Sequence, residues 1–325
     1  MKAIKFFAIS AMAAAMITSC SSEDELSQSN YPSDNIIRVT AGVNNAKTRA
    51  EGAGTEMKND FSLTIVNKNA PKYTYTDKVF SKTSGDWACS ETLLWQKSDA
   101  LVDIVAFAPA QTGKFNGVYA NGSIQPITYS VADDQSTKSD NNDLLYYYAK
   151  DFNPGTSLDK GKLNIQFNHA FCMIDINVTL GTEFNKPSIP TTSPIIKVTL
   201  GGTKIAANVN VTNAASVVTA SGEATATDIT TTNGSFTTAA DPEKNAISRF
   251  SCIAIPQTVA ANTFKVSLMT AGKRYEWTSA VPVELKSGYK YTLELSMGND
   301  VVLLKGGSIS ATKWTEISGG SLETD

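Results

Sequence analysis

Side chains able to do chemistry are sparse in this sequence, and their spacing excludes more than it suggests. His169 is the only histidine. A Ser-His-Asp triad would have to rest on it, yet it continues the alternating run Leu163, Ile165, Phe167. A histidine there ordinarily serves as a hydrogen-bonded structural residue. No Gly-x-Ser-x-Gly elbow and no phosphate loop occurs. Cys20, Cys89, Cys172 and Cys252 fit no zinc spacing. Asp133, Asp134, Asp140 and Asp143 offer oxygen ligands, but the run lacks the Gly and the closing Glu of a calcium loop. It reads as a solvated loop. Trp87, Trp95, Trp277 and Trp314 have faces for stacking on sugars, although burial is commoner for Trp in a β-sandwich. A carboxylate pair for glycoside hydrolysis is set by the fold, not by spacing, and none stands out. The chain reads as a non-enzyme, with no catalytic residue, no metal and no cofactor expected. Two positions keep chemistry of their own: Cys20 and the Arg49-Ala50 bond.

Cys20 follows a short leader. Lys2 and Lys5 are basic, and Phe6 to Ile17 form an apolar stretch of 12 residues. That is too short to span a membrane, which takes about 20 residues, and has the build of a secretory signal over residues 1–19. Ile17-Thr18-Ser19-Cys20 resembles the bacterial lipobox, with Ile17 for the usual Leu and Ser19 for the usual Gly or Ala. The resemblance implies a diacylglycerol thioether on Cys20 and an acyl chain on its new amino terminus. Each buried CH₂ contributes about 0.8 kcal/mol, so three chains hold firmly where one does not. The plainer reading is an ordinary signal peptide cut nearby. Residues 20–35 then form a lipidated Cys and a polar tether with too few apolar residues to build a core. Ser21-Ser22-Glu23-Asp24-Glu25 resembles the acidic signal that sends Bacteroidetes lipoproteins to the outer face of the outer membrane.

The remainder is β in character. A formal net charge of -3 with scattered basic residues excludes a nucleic-acid footprint. Ile37, Val39 and Ala41 alternate with Arg38, Thr40 and Gly42, a half-buried first strand. Asn45 to Gly54 has no apolar period and reads as an exposed loop, which opens Arg49-Ala50 to a trypsin-like protease. Phe61 to Ile65 alternates strictly, and Leu101 to Ala108 is almost continuously apolar, a buried central strand ended by Pro109. Leu163 to Leu180 is the longest β signal. Its apolar parity switches near Cys172-Met173, where a bulge would restore one buried face. Further strands are expected through Tyr289 to Met297, Val301 to Leu304 and Ile309 to Trp314. No amphipathic helix of 12 residues emerges. The pattern predicts an all-β chain of two tandem β-sandwich domains, residues 36–158 and 159–325, with the boundary at Asn153-Pro154-Gly155 and Asp159-Lys160-Gly161. With Cys20 lipidated, Cys89, Cys172 and Cys252 allow at most one disulfide; buried free thiols in apolar strands are the simpler expectation.

These features, in this order, resemble the fimbrillin family of Bacteroidetes, pilin-like surface lipoproteins. The likeness rests on the lipobox at Cys20, on Thr48-Arg49-Ala50 and on Phe107-Ala108-Pro109. It rests also on Asp143-Leu144-Leu145-Tyr146, Leu163-Asn164-Ile165-Gln166-Phe167-Asn168-His169-Ala170, Gly288-Tyr289-Lys290-Tyr291 and Ile309 to Trp314. The resemblance implies two transthyretin-like β-sandwich domains. It implies a location on the cell outer membrane, surface-exposed, within a fimbrium. It also implies assembly by donor-strand exchange: an arginine-specific protease removes the first strand, and a neighbour's strand fills the groove. Arg49 and Ala50 would flank that cut. Partners would be other pilus subunits, in a homo- or hetero-polymer, outer-membrane lipid through Cys20, and a host or bacterial surface ligand if the chain is a tip adhesin. Thr315 to Asp325 is polar and Gly-rich, so Val301 to Trp314 would serve better as a donor strand. The alternative function is a surface glycan-binding lipoprotein for nutrient uptake; a hydrolase ranks third.

Overall fold

The computed structural model describes residues 30–44, 55–57, 59–111, 113–305 and 309–314. In chain order the strands of the first half are β1 (Arg38–Val43), β2 (Thr55–Glu56), β3 (Phe61–Val66), β4 (Tyr75–Thr83), β5 (Asp86–Cys89) and β6 (Val102–Ala108). They continue with β7 (Tyr119–Ala120), β8 (Ser123–Ile124), β9 (Ile127–Ser130), β10 (Leu145–Phe152) and β11 (Lys162–His169). The second half holds β12 (Cys172–Leu180), β13 (Ile195–Gly201), β14 (Ala206–Val209), β15 (Val218–Ala220), β16 (Ile229–Thr230), β17 (Thr232–Thr237) and β18 (Ile247–Ala254). It ends with β19 (Gln257–Val259), β20 (Lys265–Thr270), β21 (Arg274–Thr278), β22 (Val283–Leu285), β23 (Tyr289–Met297), β24 (Val302–Leu304) and β25 (Ser310–Lys313). Among the described residues the α-helix is limited to Pro154–Ser157. The all-β expectation holds.

One eight-stranded sheet, in the order β2-β1-β11-β10-β6-β3-β4-β5, wraps the first core. Its inward residues include Val39, Phe61, Leu63, Ile65, Ile104, Ala106, Ile165 and Phe167, all buried. Phe61 stacks on Phe80 and meets Phe167 edge-on at 5.5 Å. The second core lies between a sheet ordered β17-β18-β12-β23-β24, with β25 also on β23, and a sheet ordered β16-β13-β20-β21.

β6 explains its own continuous apolar run. Ile104, Ala106 and Ala108 face the first core, whereas Val105 and Phe107 face the second. With both faces covered, no position is left for a polar residue except at the end. There Asp103 is buried, and its carboxylate is satisfied by Lys68 Nζ at 2.7 Å and by the amide of Asp151 at 2.9 Å.

One expectation is corrected here. The parity switch near Cys172 is no bulge within a strand. β11 ends at His169, and after Ala170 and Phe171 a separate strand, β12, begins in another sheet. The buried face changes because the core changes: Phe167 belongs to the first core, Phe171 to the second. Strand pairing also crosses residue 158 in both directions. β11 pairs with β1 and β10 and so completes the first sheet. In the other direction β9 pairs with β14, carrying Ile127 and Tyr129 into the second core. Short-range punctuation marks turns, but pairing across long sequence separations decides membership of a sheet.

Cys89, Cys172 and Cys252 are free thiols, the last two buried. Cys172 Sγ donates to the carbonyl of Ala254 at 3.1 Å. Burial pushes both buried thiols up from the ordinary 9.0, Cys252 to about 12. Above pH 9 the unfolded chain releases these protons while the fold retains them, so stability should fall as pH rises beyond that point. In the native chain at pH 8, iodoacetamide should label half-exposed Cys89 and spare Cys172 and Cys252 until denaturant is added. Equal labelling of all three by mass spectrometry would contradict this.

Candidate functional site

The first strand occupies an unusual place. β1 runs parallel to β11 in continuous register, from Arg38 opposite Lys162 to Val43 opposite Phe167. Its alternation puts Ile37, Val39 and Val43 into the first core at 2–5% exposure, with Ala41 packed beside them, while Arg38 and Thr40 point to solvent. Burying each such branched side chain contributes about 1.5–3 kcal/mol. The strand is therefore a working part of the core, not a surface appendage.

Its other flank is met only at the ends. Before β1, Ile36 bridges Leu94, the amide of Ile37 donates to Leu93 O at 2.9 Å and the amide of Trp95 donates to Asn35 O at 2.8 Å. At the far end Gly42 and Val43 pair with Glu56 and Thr55 of β2. Between these points, Arg38 to Thr40 have no strand partner on that side among the described residues. β5, the opposite end of the same sheet, lies alongside. Lys162 of β11 reaches Asp86 of β5 at 3.5 Å, beside the start of β1. β1 thus sits between β11, with which it pairs, and β5, which it only approaches. Its removal would expose an apolar groove lined by the first core and a row of unpaired β11 backbone groups.

Polar contacts bracket β1 at both ends. The Asp34 carboxylate accepts from Arg38 at 2.6 and 3.0 Å and from the amide of Ile36 at 3.0 Å. The Arg38 guanidinium, helped by that amide, holds the Asp34 carboxyl down at about 2, so this bracket persists through mildly acid solution. At the other end the amide of Asn44 donates to Phe167 O at 2.7 Å, and Asn44 Nδ2 donates to Asn168 Oδ1 at 2.8 Å.

The C-terminal strands form a second edge. β23 pairs parallel with β12 on one side. On its other side it takes first β24, Leu295 opposite Leu304, and then β25, Tyr289 opposite Lys313. All four β25 side chains are exposed. The segment is fixed at its end by Trp314, whose amide donates to Gly288 O at 2.7 Å and whose indole stacks on His169 with ring centroids 3.8 Å apart.

Of the residues singled out by sequence, Cys20, Arg49 and Ala50 lie outside the described residues; in the chain, Arg49 and Ala50 fall between β1 and β2. His169 is buried with Nδ1 3.0 Å from both Asp143 oxygens, and Nε2 has no hydrogen-bond partner. The 133–143 acids are dispersed: Asp134 accepts from the amide of Ser136, Asp143 holds His169, and no cluster of three metal-ligating side chains occurs among the described residues. The four Trp side chains pack on protein rings: Trp87 on Phe61, Trp95 on Phe152, Trp277 on Phe264, and Trp314 on His169. The parallel pairing of β1 with β11 had no local sequence signal, nor had the Trp314–His169 stack.

A fimbrillin-like family model matches residues 48–314, most of the chain. The chain belongs to the fimbrillin-like family. The match starts at Thr48, after β1, and ends on Trp314. No curated protein sequence matches. Among solved structures, one similar chain is a protein from Bacteroides ovatus assigned to cell adhesion, with a TM-score of 0.60, 17% identity, and 87% of this chain and 98% of that one covered. Another is a fimbrial protein from Bacteroides vulgatus, with a TM-score of 0.55, 16% identity, and coverage of 86% and 99%. At these identities the likeness is one of fold, and the fimbrillin-like fold spans nearly the whole of both solved chains.

Proposed function

We propose that this chain is a structural subunit of a cell-surface fimbria, without catalysis, and that it assembles by donor-strand exchange. Family membership supports the fimbrial role. The observation that carries the exchange is β1 itself: an N-terminal core strand, paired along its length on one flank only, followed by the stretch that holds Arg49-Ala50. A cut there would detach Cys20, tether and β1 as one unit. A strand from a second subunit would then satisfy the β11 backbone and the Ile37, Val39 and Val43 sites together. In this reading the chain is made as a lipoprotein, anchored in the outer membrane through Cys20 until it is cut. Its two halves are transthyretin-like sandwiches joined through β11 and β12. Val301 to Trp314, already an edge segment on β23, is the donor.

The mature lipidated chain treated with an arginine-specific protease tests this. Cleavage after Arg49 should yield a ladder of oligomers on non-denaturing gels, and Arg49→Ala should abolish both cut and ladder. Cleavage that leaves monomers with β1 still bound would sink the assembly reading. Labelling with a palmitate analogue should be lost in Cys20→Ala.

A further inference from the structure

The strand that receives β1 also carries the platform on which Trp314 rests. β1 braces the end of β11 through Asn44, whose amide and Nδ2 bond to Phe167 and Asn168 at 2.7 and 2.8 Å. The next residue is His169. Its Nδ1 lies 3.0 Å from both oxygens of Asp143, which holds the ring in place. Trp314 lies flat on that ring, 12° from parallel. The amide of Gly288, whose carbonyl holds the Trp314 amide, donates to Phe171 O just beyond β11. Because Ser310 to Lys313 bury no side chain, the apolar hold on this segment comes from its two ends, Ile309 against the second core and Trp314 on His169.

We propose that β1 and β25 are coupled through β11: β1 steadies the His169 platform, and loss of β1 loosens Trp314 and with it the C-terminal strand. A subunit that has lost its first strand would thereby become readier to release its last one, and an unprocessed subunit would keep both docked. The use of this coupling in assembly rests on the reading of β1 as the exchanged strand; the coupling itself does not.

Hydrogen exchange of backbone amides in the full mature chain tests it, with two variants that leave Arg49 uncut. Asn44→Ala removes the side-chain bond to Asn168 and should speed exchange at the Trp314 amide and through β25 by about 2- to 10-fold, the worth of one hydrogen bond, with β12 and β18 unchanged. Coupling is reciprocal, so Trp314→Ala should speed exchange at the Asn44 amide by a similar factor. A purely local role for either residue moves only its own end. No change at the distant end in both variants overturns the proposal. So does an equal rise across β12 and β18, which would mean that the ends communicate only by global unfolding. Neither outcome bears on strand exchange, which the protease experiment decides separately.

Discussion

Replacing Phe167 with Ala should lower stability by about 3–5 kcal/mol, the cost of truncating a fully buried aromatic that its surroundings cannot refill. Phe167 is 0% exposed and meets Phe61 edge-on at 5.5 Å. Phe61 in turn stacks on Phe80 and takes the edge of Trp87 at 4.9 Å. Removing the ring therefore leaves a void beside Phe61, whose ring is held in turn by Phe80 and Trp87. The same position lies opposite Val43, and its carbonyl receives the Asn44 amide. The loss should appear twice: as a lower midpoint in urea, and as earlier protease access to β1 at urea concentrations where β12 stays protected. A loss under about 1 kcal/mol would mean that the first core collapses around the void and does not set the docking of β1.

Val39→Asp should undock the first strand while leaving the second core folded. Val39 is 4% exposed and lies opposite Leu163. An ionised carboxylate there has no partner, and an unpaired buried charge costs about 3–5 kcal/mol. The chain has a way out that a central strand lacks. β1 is paired along its length on one flank only, so it can leave the groove before the fold is lost, and its docking energy caps the loss. The sign of the pH dependence follows. Burial raises the pKa of the new carboxyl, the undocked state holds fewer protons above pH 4, and docking should weaken as pH rises and recover as it falls. Thr40→Asp, one residue on but facing solvent, should change stability by about 0.5 kcal/mol or less. Binding of a hydrophobic dye at pH 7 and pH 4 separates the two. Equal dye binding by both variants would show that β1 fills no apolar groove.

These variants also mark how far sequence patterns reach. The alternation of Ile37, Val39 and Ala41 with polar neighbours gives the first strand and its inner face, because side-chain direction in a strand has a period of two. The same alternation cannot name the partner. Parallel pairing with β11 joins residues more than a hundred apart, and nothing local in Arg38 to Val43 points to Lys162 to Phe167. The unbroken apolar run of β6 signalled burial on both faces, but not that the faces belong to different cores. The parity change near Cys172 was visible and its cause was not: a bulge and a crossing between cores leave the same trace in one dimension.

What the sequence determined by itself was local and compositional. It settled the all-β class and the inward residues of the alternating strands. Those follow from side-chain periodicity, chain chemistry and short-range spacing. Tertiary structure alone decided that β1 lies parallel to β11, that β9 pairs with β14, and that Trp314 rests on His169. Each of these joins groups far apart in the chain. Their pairing is selected by the free energy of the whole fold, through the burial and hydrogen bonds gained when the cores close, and no window of neighbouring residues contains that sum.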